Sequence, residues 1–348
     1  MKKVILTVLV IFFITQIFSQ TNKKIRNNSE PVTLNKKGTA IIITGAAAKI
    51  GQEAALLEHL YLNGMLNDVV FISGASSGAL NSIVLNAILE KKYTWDSYRN
   101  VLFNLNNDDI FRKEGNKLPV DTSPFRNLLK SIIVDTLGYI TMSDLPYPTS
   151  ISVVNSKVLT FADRTYRLCN MKINPESDPS LNLLEVLMAS TSYPIAFPPA
   201  LINNLTTIPK IPYIDGGIAA DHVPYEAVLE FEKANNIEVE KIIIISRKRD
   251  ILNKIGDEAE QFGISRFEFF DKLGVSPEAI SQDGFVKRLI SLQKKSPSFA
   301  ARTFVYVPDF PEDFLMFDFT SLRKQYELTI SWAKNHEPVS LTEYLKIV

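Results

Sequence analysis

Residues 69–90 read VVFISGASSGALNSIVLNAILE, and this stretch decides the fold. Val69 to Ser73 is a short apolar, β-branched run of the kind that builds a strand covered on both faces. From Ser77 onward apolar residues recur at 79, 80, 83, 84, 87 and 88, which is the spacing of an amphipathic helix. A strand passing directly into a helix is the repeating unit of layered α/β folds with parallel strands. Between the two lies Gly74-Ala75-Ser76-Ser77-Gly78, a Gly-x-Ser-x-Gly sequence in the strand-turn-helix setting of a nucleophile elbow. Such a turn is so sharp that the residues two before and two after the serine must be nearly without side chains. It also sets Ser76 at a helix N-terminus, where N–H groups and the helix dipole favour negative charge on an attacked carbonyl. Gly and Ser equally make plain turns and helix caps, so the pentapeptide alone admits that reading too.

The same alternation extends outward. Upstream, GTAIIITG at 38–45 is a buried-strand pattern, and QEAALLEHLYLNG at 52–64 is a leucine-faced helix closed by Asn63-Gly64. Downstream, 91–144 reads as mostly helical and irregular, and 150–155 with 158–161 as a hairpin turning at Ser156-Lys157. A helix over 181–192 runs into YPIAFPPA, whose prolines end regular structure. Strand character returns at 242–245 and 304–307, and a helix closes the pattern near 321–334. The expectation is an α/β chain, a three-layer α/β/α sandwich with a mostly parallel central sheet, in one domain over 38–340.

Composition narrows the classes. Lysine plus arginine and aspartate plus glutamate number 38 each in 348 residues, so charge points to no nucleic-acid partner. The opening MKKVILTVLVIFFITQIFSQ has two lysines, an apolar stretch and then Ser19, the layout of a signal peptide over 1–19, with an uncleaved anchor as the competing reading. That layout predicts an exported, periplasmic or secreted protein, with the polar 20–37 as a flexible lead-in. Cys169 is the one cysteine, which excludes an intramolecular disulfide and reads as a small core residue.

A serine nucleophile needs a base. The three histidines, His59, His222 and His336, lie in no strong local motif. A carboxylate is offered by YIDGGIAADHVPYEAV at 213–228, where Asp215 follows an apolar run and precedes Gly216-Gly217, a pair able to turn sharply. GAAAKIG at 45–51 joins a strand to a helix with small residues. It lacks the Gly-Lys-Ser/Thr ending of a phosphate loop and the spacing of a dinucleotide site, but its amides suit a tetrahedral oxyanion.

Taken together, the loop at 45–51, the elbow about 30 residues later and the downstream Asp215-Gly216-Gly217 resemble the patatin-like phospholipase family. LMASTSYPIAFPPA at 187–200 is similar to that family's segment before its aspartate, and AADHVPYEAV at 219–228 to the segment after it. The resemblance runs from about Gly38 to Tyr225, with a closing strand and helix at 303–335. It implies a serine–aspartate dyad without histidine or metal or other cofactor: Ser76 as nucleophile, Asp215 as base, Gly74 and Gly78 framing the elbow, and Gly216 and Gly217 turning after the base. It implies an oxyanion loop of Gly45, Ala46, Ala47, Ala48 and Lys49, and a lipid or phospholipid substrate. Where the family has Gly-Gly-Gly-x-Arg-Gly this chain has Gly45-Ala46-Ala47-Ala48-Lys49-Ile50. Alanines at positive φ would carry strain of about 1 kcal/mol or more each, and Ile50 would crowd the helix start. Two other readings stay open: a non-catalytic relative that binds lipid or a partner, and an esterase whose triad is completed by His222 or His336. Phe262, Ile264, Phe267, Phe269 and Phe270 form an aromatic cluster that suits either core packing or a rim for peripheral membrane contact.

Overall fold

Ile41, Ile42 and Ile43 are all fully buried, and they enter two different apolar cores: Ile41 and Ile43 one, Ile42 the other. Side chains alternate across a strand, so an unbroken apolar run means that both faces of the sheet are covered. Each such burial stabilises the fold by roughly 1.5–3 kcal/mol. Ile242 to Ile245 behaves the same way, with 243 and 245 on the first side and 242 and 244 on the second.

The computed structural model describes residues 35–115, 117–155, 165–218, 220–249 and 282–348. Among them eight strands form one sheet: β1 (Asn35–Ile43), β2 (Val69–Gly74), β3 (Thr149–Asn155), β4 (Thr165–Cys169), β5 (Tyr213–Asp215), β6 (Ile237–Ile245), β7 (Thr303–Tyr306) and β8 (Val339–Ser340). The order is β4-β3-β2-β1-β6-β7-β8, with β5 also paired to β3. The pairs β1–β2, β2–β3 and β6–β7 are parallel, while β4, β5 and β8 join antiparallel.

The helices described are α1 (Ile50–Leu62), α2 (Ser77–Leu89), α3 (Trp95–Asn104), α4 (Ser123–Leu129), α5 (Leu183–Ser190), α6 (Glu226–Asn235), α7 (Gln282–Lys295), α8 (Pro297–Ala301), α9 (Leu322–Ala333) and α10 (Leu341–Ile347). The first core takes residues from α1 to α5 and α9, and the second from α6, α7, α8 and α10. The layers are therefore helix, sheet, helix. No described helix is long and apolar enough to cross a membrane.

Some bounds differ from the sequence reading. β1 reaches back to Asn35, and α10 extends past 340 because Leu341 and Tyr344 bury in the second core. The strand that follows β3 and pairs antiparallel with it is Thr165–Cys169. The residues expected to form it, 158–161, lie outside the described ones, as do 1–34 and the aromatic cluster at 262–270. Cys169 is fully buried in the second core, and burial pushes its thiol up to about 12.

The register places the chemistry. Ile43 pairs with Gly74 and Gly74 with Ile151, so β1 and β2 end together and their following loops emerge at one edge. Carboxyl ends of parallel strands are where open α/β sheets bind ligands.

Candidate active site

Ser76 is held at φ +56° and ψ −129°, a region a residue with a Cβ seldom occupies. Backbone strain of this kind costs roughly 1–3 kcal/mol and persists only where the surroundings impose it. The surroundings here are backbone. A Cβ on Gly78 would lie 2.3 Å from the Ile43 carbonyl oxygen, and one on Gly74 would lie 2.4 Å from that of Gly78. Strand end and helix start are therefore too close for a side chain two residues before or two residues after the serine.

A serine before a helix ordinarily caps it, with extended backbone and its hydroxyl accepting from the first turn. Ser76 precedes α2 but makes no such bond. Its side chain instead adjoins the carboxyl of Asp215, at the end of β5, and favours that group's charged form. The Asp215 carboxylate also accepts the Gly217 N–H at 2.7 Å. Burial nevertheless dominates over these two neighbours and pushes the Asp215 carboxyl up to about 7.

Several anchors hold the two side chains together. The Ser76 N–H donates to Ser190 Oγ at 3.1 Å, and that hydroxyl donates to the Ser152 carbonyl at 2.8 Å. The Asp215 N–H donates to the Ser192 carbonyl at 3.0 Å. The end of α5 thus grips both residues. Gly216 presses so closely on β3 that a Cβ there would lie 2.1 Å from the Ser152 oxygen. Asp221 receives the Ser152 hydroxyl at 2.5 Å and a two-pronged contact from Arg167 at 2.6 and 2.8 Å, which braces the same strand from behind.

The loop after β1 faces the pair. Ala46 has φ −142°, while Ala47 has φ +46°, so one alanine and not two takes the left-handed conformation. Its Cβ costs about 1–2 kcal/mol there. The close approach at the start of α1 falls at Gly51, where a Cβ would lie 3.1 Å from the Leu322 carbonyl, and Ile50 instead lines a pocket. Among the described residues the amides of Gly45, Ala47 and Ser77 have no acceptor in the protein. All three residues border cavities that include Ser76. Lys49 is buried at the head of α1.

Two cavities meet at Ala47, Ser76 and Tyr193. One, of about 370 Å³, is bordered by Ala46, Asp215, Gly217, His222 and Arg247. The other, of about 870 Å³, is bordered almost wholly by apolar side chains, among them Leu80, Leu102, Phe125, Ile133 and Phe197.

The histidines take other places. His222 borders the smaller cavity and its Nδ1 lies 3.2 Å from the Gly217 carbonyl, while Asp215 meets Ser76 without an intervening ring. His336 stacks on Trp332 with its Nδ1 2.7 Å from that residue's carbonyl, and His59 pairs with Asn63.

Three residues escaped the sequence reading: Ser77, Glu53 and Arg247. Glu53 is a carboxylate in a stretch of α1 buried on every side, from Ile50 to Glu58, and a charge in such a stretch was its one signal. Arg247 follows the buried end of β6, at the edge where open α/β sheets bind ligands, and is itself buried.

The sequence pattern described as Patatin-like phospholipase matches residues 41–229. No curated protein matches the chain. Among solved structures, the chain is similar to VipD from Legionella pneumophila at 12% identity and TM-score 0.40, over 90% of this chain and 72% of that one. It is similar to human GIVD cytosolic phospholipase A2 at 10% identity and TM-score 0.42, over 89% of this chain and 59% of the human one. It is similar to the ExoU-SpcU complex of the Pseudomonas aeruginosa type III secretion system at 13% identity and TM-score 0.30, over 77% and 59%. It therefore spans less than two thirds of the latter two chains. With the family pattern covering more than half its length, the chain belongs to the patatin-like phospholipase family.

Proposed function

We propose that this protein hydrolyses carboxylic ester bonds of lipids with Ser76 as nucleophile and Asp215 as its base. One observation carries the reading: a strained elbow serine adjoins a buried carboxyl group, at the mouth of an apolar cavity of about 870 Å³. The cavity suits an acyl chain, and burying such a chain supplies about 0.8 kcal/mol per methylene.

In this reading Asp215 takes the Ser76 proton as Oγ attacks the ester carbon, and the carbonyl oxygen gains the negative charge. The open amides of Gly45, Ala47 and Ser77 are the donors available to that oxyanion. Collapse breaks the bond to the alcohol, which leaves with the proton returned by Asp215, and Ser76 keeps the acyl group. Asp215 then takes a proton from water, whose oxygen attacks the acyl-serine. Release of the fatty acid returns that proton to Ser76.

Ser76→Ala and Asp215→Ala are each expected to lower hydrolysis of a short-chain ester reporter at least about 1000-fold while leaving the thermal melt intact. Replacing His222 or His336 is expected to leave a measurable rate. Full activity in Ser76→Ala would refute the proposal, and loss with either histidine would favour a triad. A wild-type protein that takes up no fluorophosphonate probe would favour the non-catalytic, lipid- or partner-binding reading.

A further inference from the structure

The loop at 45–49 contains alanines where small flexible residues would turn most easily, so something else must set its shape. Its polar atoms are held one by one. Arg247 Nη1 donates to the Gly45 carbonyl at 2.6 Å, the Ala46 N–H donates to Ser77 Oγ at 2.7 Å, and the Ala48 N–H donates to the Met316 carbonyl at 2.7 Å. Gln325 Nε2 donates to the Ala48 carbonyl at 3.0 Å, and the Lys49 N–H to that of Ala46 at 2.9 Å. The amides of Gly45 and Ala47, on either side of the Ala46 bond, are the ones left open beside Ser76.

The Ala46 bond is the one closest to the chemistry, because Ser77 is the residue after the nucleophile. Its hydroxyl proton is directed to Glu53 Oε2 at 3.2 Å, which leaves its lone pairs for the Ala46 N–H. Glu53 is set in turn by Asn81 Nδ2 at 3.2 Å and lies 3.3 Å from Thr44 Oγ1, and Asn81 is set by the Tyr98 hydroxyl at 2.7 Å.

We propose that the Ser77 hydroxyl, oriented by Glu53, is the positioning group of the oxyanion loop: by accepting the Ala46 N–H it keeps the flanking Gly45 and Ala47 amides turned toward Ser76. The proposal rests on the acyl-hydrolase reading above. Burial pushes the Glu53 carboxyl up to about 8 although the Arg247 charge pulls the other way, so a neutral acceptor is a fair replacement for it at neutral pH. The Ser77 hydroxyl and Glu53 act through the loop backbone and not on substrate. Their loss misplaces donors, and a shift of about 1 Å in a reacting group can cost about 100-fold in rate.

The test compares wild type, Ser77→Ala, Glu53→Ala and Glu53→Gln by fluorophosphonate labelling rate, by steady-state hydrolysis of a short-chain ester, and by thermal melt. Ser77→Ala and Glu53→Ala are expected to lower kcat and the labelling rate roughly 10- to 100-fold with KM within about threefold, because donors to the transition state are misplaced while substrate contacts remain. Glu53→Gln, which keeps an acceptor for Ser77, is expected to recover most of the loss. A folded Ser77→Ala that labels at the wild-type rate overturns the proposal, as does a loss confined to KM. If Ser77→Ala does not fold, the Glu53 pair decides, and equal loss in Glu53→Gln and Glu53→Ala overturns it. Wild type that labels while the variants are unaffected removes the positioning role alone. Wild type that neither labels nor hydrolyses removes the acyl-hydrolase reading and this proposal with it.

Discussion

At the scale of single residues, the proposed mechanism gives Asp215 the hardest task, because an aspartate of ordinary pKa near 3.9 is a poor proton acceptor. Burial raises it to about 7, against the Ser76 hydroxyl and the Gly217 amide that both stabilise its charged form. Arg247 and His222 border the same cavity. A base must be unprotonated to act, so kcat/KM is expected to fall as pH drops through about 7, as a pH–rate profile of ester hydrolysis measures. A flat profile from about pH 5.5 to 8.5 would rule Asp215 out as that base. Stability follows the opposite sense. With its folded pKa raised from 3.8, Asp215 holds a proton that the unfolded chain has lost, and the stabilisation this gives fades as pH rises toward about 7. Asp215→Asn is therefore expected to raise Tm by a few degrees at pH 8 and by less at pH 5. Ser76 and Asp215 were legible as candidates because each sits in a local pattern of glycines. Ser77, Glu53 and Arg247 were not, since their meaning lies in which atoms they face.

At the scale of elements, the elbow and the loop after β1 solve one steric problem in two ways. The elbow removes side chains altogether: a Cβ on Gly78 would lie 2.3 Å from the Ile43 oxygen and 2.4 Å from that of Thr44. Both are main-chain atoms in a buried strand end and neither can yield. Gly78→Ala is expected to destabilise by roughly 3 kcal/mol or more, seen in urea unfolding, and a change below about 1 kcal/mol would mean that the strand end gives way. The loop keeps a side chain at Ala47 and accepts a left-handed residue, with hydrogen bonds to Ser77, Arg247, Met316 and Gln325 holding the shape. The elbow was readable from its spacing because its requirement is steric and local. The loop was not, and the expectation of strain at both Ala46 and Ala47 held at only one of them.

At the scale of the molecule, the apolar cavity is assembled from α2, α3, α4, the turn of π-helix at Lys130–Thr136 and the aromatic residues Phe197 and Phe317. No one of these elements carries a recognisable binding motif. Their apolar faces leave a space of about 870 Å³ that opens beside Ser76. If acyl chains enter it, Leu102→Trp and Ile133→Trp shorten the space without touching Ser76 or Asp215. Each is expected to lower kcat/KM for long-chain relative to short-chain esters about 10-fold or more, read from a chain-length series, because each excluded methylene forfeits about 0.8 kcal/mol. An unchanged chain-length profile would place the acyl group elsewhere.

The sequence by itself determined the layered α/β architecture, the sharp turn at Ser76 and the isoleucine strands buried on both faces. Those features follow from periodicity and from sterics within a few residues, and such constraints are written in the order of side chains. Only the tertiary structure decided that Ser76 adjoins Asp215 and does not cap its own helix. It also decided that Arg247 reaches the Gly45 carbonyl across 202 positions, and that Ser77 closes on Ala46 across 31. A buried polar atom must find its partner wherever the packed chain brings one, and that choice is made in space rather than along the sequence.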